Sequence, residues 1–270
     1  MLRVRVLTAS VLAAGLLLTL FVLPVQWAAA VFAAVFVLAA WEWAGFGRLH
    51  GRTARLSYMA GMAVLLALCF GWSGTHARLL LLLGSACVWW LMAFVWLVLA
   101  PGRNQPAVAL FCGVPVLLPA FVALARLLLS ARGFARGPEL VLGMLLVVFA
   151  ADIGAFFAGR RFGRHKLAPR VSPGKTWEGV VGGLCLVAVV GFAGALHYGL
   201  PAVTTVAFCL GVGVFAVVGD LTESMFKRAA DLKDSSALLP GHGGILDRID
   251  SITAAAPLYA LGLFGSGAIE

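Results

Sequence analysis

Charge is what this sequence lacks most. Of 270 residues only eleven are acidic and twenty basic, 11% in all, where a soluble domain carries about 25%. A chain that is 62% hydrophobic, with a mean hydropathy of +1.03, has too few polar side chains to clothe a water-facing surface. A soluble globular fold is excluded. Cysteine is sparse and unpatterned: Cys69, Cys87, Cys112, Cys185 and Cys209 all lie inside apolar runs, which excludes a zinc ribbon or disulfide framework and marks them as small core hydrophobes. The five histidines have no ligand spacing either.

The positive balance of +9 does not signal nucleic acid. Its lysines and arginines sit in short loops between apolar runs, not in a stripe with interleaved aromatics. Long apolar runs are what the chain does have. Stretches of roughly 18 or more apolar residues, enough to cross a hydrocarbon core of about 30 Å, recur throughout. They predict an all-α, polytopic transmembrane protein with about nine spans, near 6–23, 27–46, 57–73, 79–100, 107–129, 138–158, 178–199, 202–225 and 251–268. The first, preceded by Arg3 and Arg5 and followed by Ala28, Ala29 and Ala30, has the outline of a signal peptide. Its length favours an uncleaved span. Pro115 and Pro119 in the fifth and Pro257 in the ninth predict kinks or breaks.

Basic residues stay on the cytoplasmic side of a membrane. With the N-terminus cytoplasmic, sixteen lysines and arginines fall inside and four outside (Arg78, Arg126, Arg132, Arg136). That bias predicts cytoplasmic loops at 159–177 and 226–250. The loop after the fifth span, with Arg132 and Arg136, runs against it.

Acidic residues divide the chain. Only Glu42 and Glu139 precede residue 150, and nine follow it. Residues 1–137 therefore read as a scaffold of about five spans and 138–270 as the region that carries chemistry. In a helix Asp220, Glu223, Ser224 and Lys227 fall at i, i+3, i+4 and i+7, on one face. A carboxylate, a hydroxyl and an ammonium aligned at a membrane boundary suit a metal ion and phosphate oxygens, although a solvated helix end with a Glu–Lys pair has the same spacing. Pro240, Gly241, Gly243 and Gly244 then end the helix in a loop whose amides can meet an anion, and Asp247 and Asp250 follow at i, i+3. Asp220 and Asp247 are the carboxylates placed to share one magnesium ion. Gly179 and Gly183 form a small-xxx-small pair suited to close helix packing, within the chain or between subunits.

The stretch Ser224, Phe226, Lys227, Arg228, Lys233, Asp234, then His242, Gly243, Gly244, Ile245, Asp247, Arg248, Ile249 and Asp250 fills every specified position of the phosphatidate cytidylyltransferase (CDP-diacylglycerol synthase) signature. Two upstream segments resemble the same family: Asp152 to Gly163, and Ser172 to Gly179. Ile153 stands where that family would have threonine, which removes a hydroxyl beside Asp152. The resemblance spans about residues 138–268. It implies transfer of CMP from CTP to phosphatidate in an inner membrane, with the site facing the cytoplasm. It also implies magnesium, a monovalent cation such as potassium, and a homodimer.

On that reading Asp220, Ser224, Lys227, Asp247 and Lys175 are the catalytic set. Ser172, Arg228, Lys233, His242, Gly243, Gly244 and Arg248 join Lys175 in binding substrate, and Asp152, Glu178, Glu223 and Asp250 stand behind them. The phosphate nucleophile is ionised at neutral pH, so positioning and charge neutralisation carry the reaction without a strong base. A Walker A loop at Gly174, Lys175 and Thr176 is excluded by Pro169, where that motif requires glycine. A membrane enzyme using CTP on another lipid phosphate would share the triphosphate site. A transporter, which also places carboxylates in a membrane, would not need so dense a charged loop.

Overall fold

In a computed structural model, described for residues 2–101, 105–130, 133, 135–239, 241 and 243–269, with the side chains of residues 2–6 excepted, the chain is a helical bundle. Its elements in order are α1 (Leu2–Phe21), α2 (Val25–Phe46), α3 (Arg52–Trp72), α4 (His76–Leu99), α5 (Pro106–Leu129), α6 (Gly137–Phe162), β1 (Lys166–Ala168), β2 (Ser172–Thr176), α7 (Trp177–Tyr198), α8 (Ala202–Ala229) and α9 (Leu246–Gly265). Among the described residues seven helices, α2 to α8, are long and apolar enough to cross a membrane. The apolar part of α1 is shorter, Leu7–Phe21, and α9 opens on Asp247, Arg248 and Asp250.

The helices differ in what surrounds them. In α5, 67% of the apolar window is buried, against 11% in α3. α5 is thus the central helix, packed on α2, α9 and α6, and α3 turns most of its leucines and valines outward. Outward apolar side chains are what a lipid solvent requires, because hydrocarbon satisfies them as well as a protein core does. α5 runs without a break past Pro115 and Pro119, as α9 does past Pro257.

Arg126 is a residue of the last turn of α5, not of a loop. It donates to Phe70 O at 2.6 Å and lies over the Phe70 ring, so it closes the C-terminal end of α3, where carbonyls are left without helical partners. Its charge therefore serves a helix end, which explains its departure from the loop bias. Arg103 and Arg132 lie outside the described residues.

The most extensive helix contact joins α6 and α7. A Cβ added at Gly154 would stand 2.6 Å from Gly182 O, and one at Gly183 would stand 2.6 Å from Ala151 O. The backbones touch there, as small residues permit. The Gly179–Gly183 face is thus spent inside the chain, on α6.

The antiparallel hairpin β1–β2 interrupts the helices, with Lys166 opposite Thr176 and Ala168 opposite Ser172. Its segments contain Pro173, Gly174 and Pro169, so the sequence gives no strand signal there, and the expectation of helices alone is corrected by this one element. Thr176 ends β2 and caps α7, accepting from Gly179 N at 3.1 Å.

Candidate active site

A cavity of about 670 Å³ opens where α6, β2, α7, α8 and α9 meet. Its walls carry Asp152 and Arg160 from α6, Lys175 from β2, Asp220 and Lys227 from α8, Asp247, Arg248 and Asp250 from α9, and Asp234 from the α8–α9 loop. The backbone brings these groups together at two close approaches. One is the glycine seam of α6 and α7, where Ala151, next to Asp152, packs on Gly183. At the other, a Cβ on Gly219 would meet Asp250 O at 2.6 Å, so α8 and α9 touch where Asp220 and Asp250 project.

Each principal carboxylate holds a cation. The ammonium of Lys175 pairs with Asp220, whose other oxygen lies 3.5 Å from Ser224 Oγ. Lys227 Nζ stands 2.6 Å from Asp247 Oδ1 and 3.1 Å from Glu223 Oε1. The second oxygen of Asp247 accepts from Ser235 N at 2.9 Å and Gly244 N at 2.8 Å. Gly243, at φ 78°, turns the chain so that Asp247 packs against it. Asp152 and Asp220, and likewise Asp220 and Asp250, lie within electrostatic reach of each other, with Lys175 and Arg248 acting on Asp152.

Glu223 is buried below this rim. Neither of its oxygens accepts a hydrogen bond among the described residues, since the approach of Lys227 lacks hydrogen-bond geometry. Among the described residues Lys227 pairs with both Glu223 and Asp247, and it is itself only 8% exposed.

Several residues expected at the site do other work. Glu178 accepts from Arg164 N and His165 N, each at 3.1 Å, and pairs with the His165 ring, which clamps the entry to the hairpin. Arg228 donates from Nε to Val171 O at 3.3 Å, tying the hairpin to α8. Ser172 and Lys233 are not among the described residues that line the cavity. His242 lies outside the described residues.

The residue that the sequence did not single out is Glu42. Only 3% exposed on α2, it accepts from Ile245 N at 3.0 Å and Leu246 N at 2.7 Å, and from Ser235 Oγ at 2.9 Å and Ser236 Oγ at 2.6 Å. A carboxylate thus caps the N-terminus of α9 from another helix, where both the free amides and the dipole favour an anion. A Cβ on Gly244 would stand 2.5 Å from Glu42 Oε2, so glycine is what admits the cap. The sequence signal was present: a single carboxylate inside a 22-residue apolar helix is costly and needs partners. Phe226 joins the two halves again, buried with ring centroids 5.3 Å from Trp43 and 5.7 Å from Trp96.

A helical membrane bundle whose charged cavity sets lysines and arginines among carboxylates suits phosphate-bearing substrates. The comparisons define it further. The sequence model of the cytidylyltransferase family matches residues 3–264, and the chain belongs to that family. It is 42% identical to the phosphatidate cytidylyltransferase of Pseudomonas aeruginosa over 277 residues, covering 99% of this chain and 98% of the relative. With the enzyme of that name from Haemophilus influenzae it shares 39% over 282 residues, 96% and 98% of the two chains. With that from Bacillus subtilis it shares 42% over 123 residues, 44% and 46% of the two chains. The likeness thus takes in the first five helices, where the sequence alone shows only generic apolar runs.

Proposed function

We propose that the chain transfers CMP from CTP to phosphatidate, giving CDP-diacylglycerol and pyrophosphate. A phosphate oxygen of phosphatidate attacks the α-phosphorus of CTP. The bond from that phosphorus to the oxygen bridging to the β-phosphorus breaks, and pyrophosphate leaves. The observation that carries the reading is the pairing of Lys175 with Asp220 and of Lys227 with Asp247 on the wall of one cavity. Two ammonium groups are held over carboxylates in one cavity, and Arg160 and Arg248 add cationic reach. The lysines bind and orient phosphate oxygens, Ser224 supports Asp220, and the Gly243–Gly244 turn keeps Asp247 in place.

Asp220 and Asp247 supply only oxygen donors, the set a hard divalent cation prefers, and magnesium takes one or two carboxylates when substrate phosphates complete its shell. Among the described residues no three His, Cys, Asp or Glu side chains form a metal-binding group, so substrate phosphates would have to complete the shell of any such ion. Magnesium bound there would neutralise triphosphate charge and align the leaving group. Asp152 and Asp250 lie within electrostatic reach of Asp220.

The topology proposed is nine spans with the N-terminus in the cytoplasm of a cell whose inner membrane holds the protein. Three contacts support one common face for the loops near residues 48, 171 and 245: Arg48 with Asp231, Arg228 with Val171, and Glu42 with Leu246. CTP would reach the cavity from that side. A homodimer, and a monovalent cation such as potassium beside the magnesium, are proposed from the family resemblance.

The test is pyrophosphate release by purified protein in detergent. Wild type should require CTP, phosphatidate and magnesium together, and chelation should abolish release. Asp247→Asn, with its thermal transition retained, should lose on the order of a hundredfold or more. Near-wild-type release by that variant would sink the assignment.

A further inference from the structure

A second cavity, of about 960 Å³, lies between α6, α7, α8 and α9 toward their opposite ends. Leu142 and Val147 of α6, Gly194 of α7, Thr204 and Phe208 of α8 and Tyr259 of α9 are on its walls. All but α9 are helices long and apolar enough to cross a membrane, so the medium at its side is hydrocarbon. Its polar lining residues Glu139, His197, Thr204, Thr205 and Ser266 stand at the helix ends, and the wall from there toward Val147 is mostly apolar.

The same four helices build both cavities. Along α6 the charged cavity reaches down to Ala151 and the apolar one begins at Val147, a separation of about one helical turn. The charged cavity is also sunk into the bundle: Asp152 stands ten residues from the end of α6 at Phe162, roughly 15 Å at the helical rise. A lipid whose phosphate is drawn down to Asp152, Lys175 and Asp220 carries its hydrocarbon directly to the level of Val147 and beyond.

We propose that the apolar cavity receives an acyl chain of the phosphate-bearing lipid whose head group occupies the charged cavity, and so sets the enzyme's preference for chain length. The proposal rests on the reading of the charged cavity as the site of cytidylyl transfer to a lipid phosphate. The far carbons of a long chain lie between Leu142, Phe208 and Tyr259, and a short chain ends before reaching them. Gly194 keeps that space open: a Cβ there meets nothing within 4 Å, so a larger side chain fills the cavity without displacing a helix.

The experiment compares dihexanoyl with dipalmitoyl phosphatidate in mixed micelles, at fixed surface fraction, for wild type, Gly194→Ala, Gly194→Leu and, on the α8 wall, Thr204→Phe. Wild-type turnover of CTP with phosphatidate tests the underlying reading by itself. Given that turnover, Gly194→Leu and Thr204→Phe should each lower kcat/KM for the long-chain lipid by about tenfold, the loss expected when about two methylenes are no longer buried. Gly194→Ala should fall between, and the dihexanoyl lipid should be turned over as by wild type. Equal effects on both lipids, or none on either, would overturn the proposal while leaving the reaction itself established.

Discussion

Glu42 on α2 accepts the amide of Leu246, the first residue of α9, at 2.7 Å. The two residues are 204 positions apart, yet this bond fixes where α9 starts, and with it the position of Asp247 one residue further on. The two serines that also donate to Glu42 belong to the loop that folds over Asp247, and Ser235 bonds both carboxylates.

Replacing Glu42 should therefore damage both stability and activity. Glu42→Ala leaves two buried amides and two hydroxyls without their acceptor, at about 1–3 kcal/mol for each buried polar group left unsatisfied. A loss of at least about 2 kcal/mol is expected. Glu42→Gln keeps one acceptor oxygen and should lie between. Thermal denaturation in detergent, set beside pyrophosphate release, gives both values, and an Ala variant as stable as wild type would refute the cap.

The pair Glu223 and Lys227 should behave asymmetrically. Lys227→Met strands a buried carboxylate, which typically costs about 3–5 kcal/mol. Adding Glu223→Gln removes the stranded charge and should recover much of that stability. Activity should stay low in the double variant, because the ammonium over Asp247 is still missing. Recovery of activity along with stability would show that Lys227 serves the fold alone.

Lys175 presents the opposite case. Its side chain and that of Asp220 are each about a quarter exposed, and a partly solvated ion pair contributes roughly 0–1 kcal/mol. Lys175→Met should melt within a few degrees of wild type while losing on the order of a hundredfold or more in turnover. Comparable losses in melting temperature and in rate would argue for a structural bond instead.

The α6–α7 seam gives a packing prediction. Gly154→Ala drives a methyl into the backbone of Gly182 and Gly183, and overpacking of that kind costs about 1–3 kcal/mol. Activity should fall with stability, since Asp152 is two residues away. Gly61→Ala, where a Cβ meets nothing within 4 Å, is the control and should be neutral or stabilising by up to about 1 kcal/mol. Matched melting curves for the two variants would contradict the seam.

What the sequence made legible follows from which forces act locally. Lipid forces a long apolar run to become a helix whatever its neighbours are, so the nine helices of the described residues stand close to where their runs predict them. The residues lining the cavity were legible through helical spacing, since Asp220 and Lys227 lie on one face of a single helix. Partners distant in sequence were not. That Lys175 reaches Asp220 depends on a hairpin made of residues that avoid strands, and that Gly183 packs on Ala151 depends on which helix lies beside α7. Glu178 shows the reverse case. Its motif made it a second-rank candidate for the site, and its hydrogen bonds hold the hairpin's entry.

The cap formed by Glu42 also bears on the order of assembly. α2 carries its carboxylate into the hydrocarbon early in synthesis, and every hydrogen-bond donor that satisfies it, from Ser235 to Leu246, is made near the end. Lys227, too, receives Asp247 only when α9 is made. A chain halted after α8 leaves Glu42 without its donors and Lys227 with Glu223 alone, so the last helix to emerge completes the second.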